Sequence, residues 1–208
     1  MISHERRCIF IHIPKCAGTT VEDVLWPGKR SEADLWMGFI SAYGNRYQTG
    51  GLQHLTASLV REAVGDRIFS QYLKFAVVRN PWDRAASKYA FMRRRGDLRA
   101  FIGMNESDDF PTYLRRIQKY RHVQWETQER FLCDEAGNLL VDEIIRFERF
   151  DLEFGAFLKR LGITKCIPHA KSGNRGPVGS LYDSETIEIV AKMYAGDIAR
   201  FGYVFPGC

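Results

Sequence analysis

Apolar residues along the chain form two short continuous runs that are typical of buried β-strands. The first run, residues 8–13, is rich in β-branched side chains and ends at Pro14. The second, Leu73–Val78, leads directly into Arg79. Continuous apolar runs of this length are found in strands that are covered on both faces of a parallel sheet. The pattern therefore predicts a mainly parallel sheet.

The first half of the chain also carries helix signals. Thr56 is a good N-cap, the apolar residues after it recur with helical spacing, and Gly65 is a plausible stop. Asp83 is predicted to cap a helix that follows the second strand and ends near residue 92. Residues 97–109 are polar and contain glycine, so they are predicted to form a mobile loop.

The second half is predicted to be mostly helical. Helices with aromatic faces are predicted over residues 110–120 and 124–132, and Gly137 with Asn138 predicts a hairpin turn before a strand at 143–147. The remaining predicted elements are a helix from about Asp151 to a Gly162 cap and a last helix from an Asp183 cap to about residue 200. Strands alternating with helices predict an α/β fold in one domain, residues 1–208.

The loop after the first strand, Pro14-Lys15-Cys16-Ala17-Gly18, leads into a helix that opens with Thr19 and Thr20. A strand, a loop of small residues and a helix N-terminus together form a geometry that binds phosphate-like anions. Gly18 would permit close approach of the backbone, Lys15 would add a cation, and the threonines would add hydroxyl donors. The alternative is an ordinary βα turn, in which glycine and a capping threonine are common.

A second anion site is predicted just after the second strand. Arg79 stands at its carboxyl end, where open α/β sheets bind ligands, and Ser87 lies one helical turn beyond Asp83. A guanidinium fork and a hydroxyl suit a phosphate group. The alternative is a capping ion pair between Arg79 or Arg84 and Asp83.

His54 precedes the helix that Thr56 caps, and it follows two glycines. An imidazole in an exposed loop is a candidate general base, although a structural role is the ordinary one for a lone histidine. Residues 27–51 are rich in glycine and aromatic side chains, which suits either the wall of an acceptor pocket or packing. In the loop over residues 163–181, Arg175 suits a phosphate or ribose contact, and a flexible surface loop is the alternative.

Composition limits the classes of function. The net charge of +5 and the pI near 9.0 fit an anionic ligand, and no zinc-finger, helix-turn-helix or RNA-binding signature accompanies them. The first ten residues lack the features of a signal peptide, and no stretch has the length of a membrane span. Five cysteines without regular spacing predict a reducing, cytoplasmic location, and no Cys/His cluster has zinc spacing.

The chain resembles the sulfotransferases that use 3′-phosphoadenosine 5′-phosphosulfate (PAPS), in particular bacterial relatives of the carbohydrate and heparan sulfate 2-O-sulfotransferases. FIHIPKCAGTT resembles their 5′-phosphosulfate loop, and VVRNPWDRAASKYAFMR resembles their 3′-phosphate element. The tail is similar in LLVDEIIRFERFDLEFGAFLKRLGI and YAGDIARFGYVF. The resemblance leaves out residues 27–47 and 96–122, and it implies a fold like that of P-loop nucleotide-binding proteins.

The resemblance also implies site roles. Lys15 would stabilise the leaving phosphate, and Arg79 with Ser87 would bind the 3′-phosphate. His54 would be the base, by a looser correspondence, with His12, Glu22 and Glu126 as substitutes. Cys16 stands where threonine is frequent, which puts one hydroxyl contact in doubt. The 5′-phosphate would be held by the loop residues Pro14, Lys15, Cys16, Ala17, Gly18, Thr19 and Thr20.

The implied activity is sulfuryl transfer to the hydroxyl of a carbohydrate or small molecule, with PAPS as co-substrate and no metal. A P-loop kinase or NTPase is the first alternative, but the G-x-x-x-x-G-K-[ST] spacing is missing and Lys15 precedes the glycine rather than following it. A non-catalytic module that binds a nucleotide or an anionic glycan is the second alternative. The intact set of Lys15, Arg79 and Ser87 argues against such a degenerate site.

Overall fold

The computed structural model describes residues 1–26, 54–164, 167 and 178–207. The chain forms two compact units. Met1–Val78 and Gln128–Lys171 make the first, here called the sheet unit, and Arg79–Thr127 and Ser172–Cys208 make the second, called the helix unit. The predicted α/β class is confirmed, and the prediction of one domain over residues 1–208 stays a prediction.

A four-stranded sheet lies in the sheet unit. Its strands are β1 (Ile2–Ser3), β2 (Cys8–Ile11), β3 (Leu73–Val78) and β4 (Glu143–Arg146), paired in that order. β1 is antiparallel to β2, whereas the β2–β3 and β3–β4 pairs are parallel. The mainly parallel sheet is therefore confirmed, with β2 two residues shorter than the apolar run that predicts it.

Helices account for most of the remaining described residues. In chain order they are α1 (Gly18–Leu25), α2 (Ala57–Val64), α3 (Asp66–Gln71), α4 (Pro81–Met92), α5 (Gly96–Phe101), α6 (Phe110–Ile117), α7 (Gln128–Leu132), α8 (Phe150–Arg160), α9 (Ser184–Met193) and α10 (Ala195–Phe201). Single 3-10 turns lie at Val123–Trp125, Phe147–Arg149 and Val178–Leu181. Within the described ranges, none of these helices is both long and apolar enough to cross a bilayer.

Aromatic side chains form the core of the sheet unit. Phe10 on β2 stacks on Phe75 of β3 with ring centroids 5.0 Å apart, and Phe157 of α8 lies 4.3 Å from Phe75. Every residue of β2 is buried, as expected for a strand that is covered on both faces. Because β2 and β3 are parallel, the segment that leaves β2 starts at the carboxyl edge of the sheet, where ligands of such sheets bind.

In the helix unit, the start of α4 is fixed by the C-terminal part of the chain. The Trp82 indole N–H donates to the Ile187 carbonyl of α9 at 3.1 Å, and the Tyr182 hydroxyl donates to the Trp82 carbonyl at 2.6 Å. The Asn80 side-chain amide donates to the Val204 carbonyl at 2.7 Å. The C-terminal segment therefore packs against the start of α4 within this unit.

Four predictions about the elements are wrong. α5 occupies part of the segment predicted as a mobile loop, and the last predicted helix is broken at Tyr194 into α9 and α10. The Gly137 turn is present, with a φ of 84°, but the hairpin is reduced to a single antiparallel bridge between Cys133 and Leu139. The predicted helix over 124–132 is a 3-10 turn followed by α7.

We expect Asp183→Ala to lower the Tm, by an amount that shrinks at acid pH. The Asp183 carboxylate accepts from the Thr186 N–H at 2.8 Å, and the Thr186 hydroxyl accepts from the Asp183 N–H at 2.8 Å. These contacts of Thr186 hold the pKa of the Asp183 carboxyl below its usual range. The stabilisation is therefore present above the unfolded pKa of about 3.9 and is lost as pH falls through the folded pKa.

Thermal unfolding from about pH 7 to about pH 2 measures this effect. The matched control is Asp151→Ala, which removes another exposed acid from a first helical turn. A Tm difference for Asp183→Ala that stays constant over the whole range would contradict the assignment.

Candidate active site

The segment between β2 and α1 contains two residues with left-handed backbone. Lys15 has a φ of 68°, and Ala17 has a φ of 56° and a ψ of 16°. Neither residue is glycine, and such conformations cost about 1–3 kcal/mol each, so they persist only where the surrounding structure imposes them. The strained positions therefore flank Cys16. Gly18, predicted to permit close approach of the backbone, is the first residue of α1.

The N-terminus of α1 has no side-chain cap. Its N-cap residue, Ala17, has no side-chain oxygen, and the Val21 N–H donates to the Ala17 carbonyl at 3.1 Å. The N–H groups of Gly18, Thr19 and Thr20 precede that bond, at the end where a helix lacks internal acceptors and its dipole is positive. Such a terminus favours an anion, which agrees with the chemistry predicted for this segment.

Cys16 turns its thiol towards the protein interior. Its side chain is fully buried, with Sγ 3.6 Å from Gln128 Oε1 of α7 and 3.7 Å from the Pro14 carbonyl oxygen. A threonine at this position would direct its hydroxyl towards the same interior groups. The doubt about a missing hydroxyl contact at Cys16 is therefore small. The residue contributes to the loop through its backbone and through the contact of its thiol with Gln128 of α7.

His12 fills the space next to Gly18. A Cβ atom placed on Gly18 would lie 1.8 Å from Nε2 of His12, far inside contact distance. On the other side of the ring, Nδ1 of His12 lies 2.7 Å from Oε1 of Glu22, and both side chains are buried. Glycine is thus required here by a neighbouring side chain of the same chain, which is a different reason from the close ligand approach that the sequence suggests.

We expect Gly18→Ala to destabilise the protein by about 1–3 kcal/mol, as overpacking does. The same change in a helix normally stabilises by about 0.5–1 kcal/mol. In a His12→Ala background the space is vacated, so the substitution should be neutral or stabilising. Urea unfolding of the wild type, the two single variants and the double variant completes a double-mutant cycle.

Gly96→Ala is the matched control, because Gly96 is also the first residue of a helix and a Cβ there meets nothing within 4 Å. A cost of Gly18→Ala that is unchanged in the His12→Ala background would contradict the steric explanation.

His54 lies at the end of β2 as well, held by the backbone of His12. Its Nδ1 is 3.1 Å from the His12 carbonyl oxygen, and the two imidazole rings meet edge to face with centroids 4.6 Å apart. A carbonyl only accepts, so Nδ1 of His54 carries the proton and the neutral ring has its lone pair on Nε2. His54 is half-buried rather than in an exposed loop, and its tautomer suits a base at Nε2.

The second predicted site lies in the helix unit. Arg79 and Ser87 are 5% and 7% exposed, and Arg79 Nε donates to Asp83 Oδ2 at 2.7 Å. The ion pair weighed as the alternative is thus present, and it engages one of the five N–H donors of a planar guanidinium. Asp83 is not the N-cap of α4, because Asn80 Oδ1 accepts from the Trp82 N–H at 3.1 Å.

The buried face of α4 carries two further cations. Arg84, Ser87 and Lys88 are buried at positions that share one helix face. Arg84 Nη2 donates to the Glu126 carbonyl at 2.8 Å, and Lys88 Nζ donates to Gln124 Oε1. Two positive charges on the helix face that carries Ser87 make this face favourable for an anion.

Other predicted candidates fall outside these two places. Arg175 and residues 27–51 lie outside the described residues. In the part of the chain that the structure describes, no three His, Cys, Asp or Glu side chains come together as metal ligands.

From the sequence, His12 and Glu22 are predicted only as substitute bases, and their contact with each other is not predicted. The available signal is the position of Glu22, which occupies the same buried helix stripe as Val21 and Leu25. A carboxylate on an apolar stripe requires a partner, but the sequence does not identify that partner.

The mainly parallel sheet, in which β2 leads through a strained loop to the uncapped helix α1, is an arrangement suited to an anionic ligand. The chain belongs to the sulfotransferase family, because the model of the "Sulfotransferase family" matches residues 1–204. Membership indicates a transferase of sulfuryl groups.

A protein of Archaeoglobus fulgidus described as "Uncharacterized protein" is 24% identical over 117 residues, which span 52% of this chain and 83% of that protein. No solved structure matches the chain significantly.

Proposed function

We propose that the protein transfers the sulfuryl group of PAPS to a hydroxyl acceptor. The observation that carries the proposal is the uncapped N-terminus of α1, preceded by the left-handed residues Lys15 and Ala17. Family membership supports the reaction class, and the PAPS-binding motifs that the sequence resembles support the choice of donor.

The sheet unit would hold the reactive end of the donor. The N–H groups of residues 16–20 and the hydroxyls of Thr19 and Thr20 would bind the 5′-phosphate, with Pro14 shaping the turn. Lys15 would place its ammonium against the oxygen that becomes the leaving group. Fixed donors aimed at developing charge are commonly the largest single contribution to catalysis.

Arg79 and Ser87 would bind the 3′-phosphate, which distinguishes this donor from ATP. Support comes from the burial of both residues and from the buried cations Arg84 and Lys88 on the face of α4 that carries Ser87. Asp83 would orient the Arg79 guanidinium through its Nε contact. Arg175 stays a proposed donor contact that rests on its residue type alone.

His54 would act as the general base. Its Nε2 would take the proton of the acceptor hydroxyl while the acceptor oxygen bonds to sulfur and the sulfur–oxygen bond to the 5′-phosphate breaks. The electron pair of the broken bond then stays on the phosphate, beside Lys15. The His12 carbonyl would stabilise the resulting imidazolium through Nδ1–H, with a rate contribution for the base of about 10²–10⁴-fold.

The acceptor class proposed is carbohydrate, with lipid or small-metabolite hydroxyls next. The basis is the resemblance to carbohydrate sulfotransferases and the net positive charge, which suits acidic acceptors. A cytoplasmic location is proposed from cysteine usage, and among the described cysteines Cys8, Cys16 and Cys133 are thiols.

A thermal-shift comparison tests the function. We expect adenosine 3′,5′-bisphosphate to raise the Tm, and ATP with magnesium to have little effect, because ATP lacks a 3′-phosphate. Ser87→Ala should weaken the response to the bisphosphate, and Ser107→Ala, an exposed serine of the same unit, is the matched control. A magnesium-dependent response to ATP alone would favour an NTPase instead.

The non-catalytic alternative makes a different prediction. A binding module would respond to the bisphosphate but would not move labelled sulfuryl groups to any member of an acceptor panel. A screen with ³⁵S-labelled PAPS therefore separates an enzyme from a binding protein, and it identifies the acceptor at the same time.

A further inference from the structure

The buried Glu22–His12 pair joins the two ends of the donor loop. His12 directly follows β2, and Glu22 stands in the second turn of α1. The 2.7 Å contact between His12 Nδ1 and Glu22 Oε1 therefore spans the loop that contains Lys15 and Ala17. Contacts across a strained loop are what hold such backbone conformations in place.

Burying the ionisable Glu22–His12 pair costs free energy of hydration, which apolar residues packed in the same space would not lose. Glu22 is 1% exposed and His12 is 6% exposed. An ionisable pair in the interior loses hydration, and apolar residues of similar volume are often at least as stable. The presence of the pair is therefore better explained by the geometry that it imposes on the loop than by a contribution to stability.

Two further contacts connect His12 to the reacting groups. Its ring lies against Gly18, the first N–H donor of α1, and its carbonyl accepts from His54 Nδ1 at 3.1 Å. The ring of Phe10 also stacks on the His12 imidazole, with ring centroids 5.4 Å apart. The position of the His12 residue thus sets both the start of α1 and the tautomer of His54.

We propose that Glu22 and His12 are positioning residues. Their contact holds the donor loop in its left-handed conformation and keeps the lone pair of His54 on Nε2. The part that concerns the donor and the base rests on the proposed function. Neither residue touches the reacting atoms in this assignment, since both act through the loop backbone and His54.

Paired substitutions separate the polar contact between His12 and Glu22 from the bulk of the ring. His12→Asn places an amide nitrogen near the Nδ1 position and keeps a donor for Glu22, whereas His12→Gln places its amide near Nε2 and loses that donor. Likewise, Glu22→Gln keeps an acceptor oxygen, whereas Glu22→Ala removes it. Each conservative variant is the matched control for its disruptive partner.

The first measurement is the Kd for adenosine 3′,5′-bisphosphate by calorimetry. We expect His12→Gln and Glu22→Ala to raise the Kd about tenfold, as they would if the binding-competent loop falls to about a tenth of the population. His12→Asn and Glu22→Gln should stay close to the wild type. Equal Kd values within each pair, whether normal or impaired, would overturn the proposal.

The second measurement is the ¹⁵N NMR signature of the His54 ring, which needs no donor. The wild type, His12→Asn and Glu22→Gln should show the Nδ1–H tautomer, and the disruptive variants should show a mixture with Nε2–H. An unchanged tautomer in both disruptive variants would overturn the proposal. A wild-type protein that fails to bind the bisphosphate would overturn the proposed function instead, and the tautomer result would still test the pair.

Discussion

Replacing Lys15 with alanine is expected to lower turnover about 10²–10³-fold, the usual loss when one preorganised donor to a developing charge is removed. Binding of adenosine 3′,5′-bisphosphate should weaken by less than about tenfold. Negative charge builds on the leaving phosphate only as the sulfur–oxygen bond breaks, so the ammonium of Lys15 is worth most in the transition state.

Turnover is measured with ³⁵S-labelled donor and the acceptor that the screen identifies, and the Kd is measured by calorimetry. Lys159→Ala is the control, because it removes an exposed lysine of α8 in the same unit. Losses of equal size in turnover and in binding would show that Lys15 contributes uniform binding and not stabilisation of the leaving group.

His54→Asn is the second substitution with a large expected effect. The amide nitrogen of asparagine can still donate to the His12 carbonyl, so the local structure is retained, but no basic nitrogen remains at the Nε2 position. Turnover should fall about 10²–10⁴-fold while the bisphosphate binds normally.

His4→Asn is the control, since His4 is exposed and bonds the Tyr72 hydroxyl. Near-normal turnover of His54→Asn would move the base to another residue. Glu126, half-buried and in the helix unit, would then be the next residue to substitute, because His12 and Glu22 are buried against each other.

The strands β2, β3 and β4 and the helix α2 are predictable because their signals are local. The run Leu73–Val78 forms β3 with the bounds that its composition predicts. Thr56 caps α2 by accepting from the Leu59 N–H at 3.3 Å, and Gly65 ends that helix. In each case a few adjacent residues contain the whole physical cause, so no information from distant parts of the chain is needed.

α5 and the break at Tyr194 depend on distant contacts. Only Leu98 is buried within the six residues of α5, so its apolar pattern is too weak to predict a helix, and short helices need packing for stability. The Tyr194 hydroxyl donates to the Trp125 carbonyl at 2.9 Å, a contact between residues far apart in sequence. Such pairings are outside the reach of a local pattern.

The candidate site likewise has one part that the sequence predicts and another that depends on contacts formed only in the fold. The loop over residues 14–20 and its helix are visible from composition, because glycine, lysine and threonine follow an apolar run. The steric role of Gly18 and the partner of Glu22 are not visible, since both depend on where the His12 ring lies after β2 and α1 are in place. The sequence therefore predicts which residues form the loop and its helix, but not the contacts that fix their geometry.

The inward-facing thiol of Cys16 also determines how a covalent probe could be built for this loop. Acrylamides and maleimides that approach this loop from solvent do not reach the Cys16 sulfur, because Cys16 is fully buried against Gln128. The neighbouring Lys15, which carries an amine, is half-buried rather than fully buried. A selective probe would therefore carry a lysine-directed electrophile such as a sulfonyl fluoride, attached to an adenosine bisphosphate scaffold.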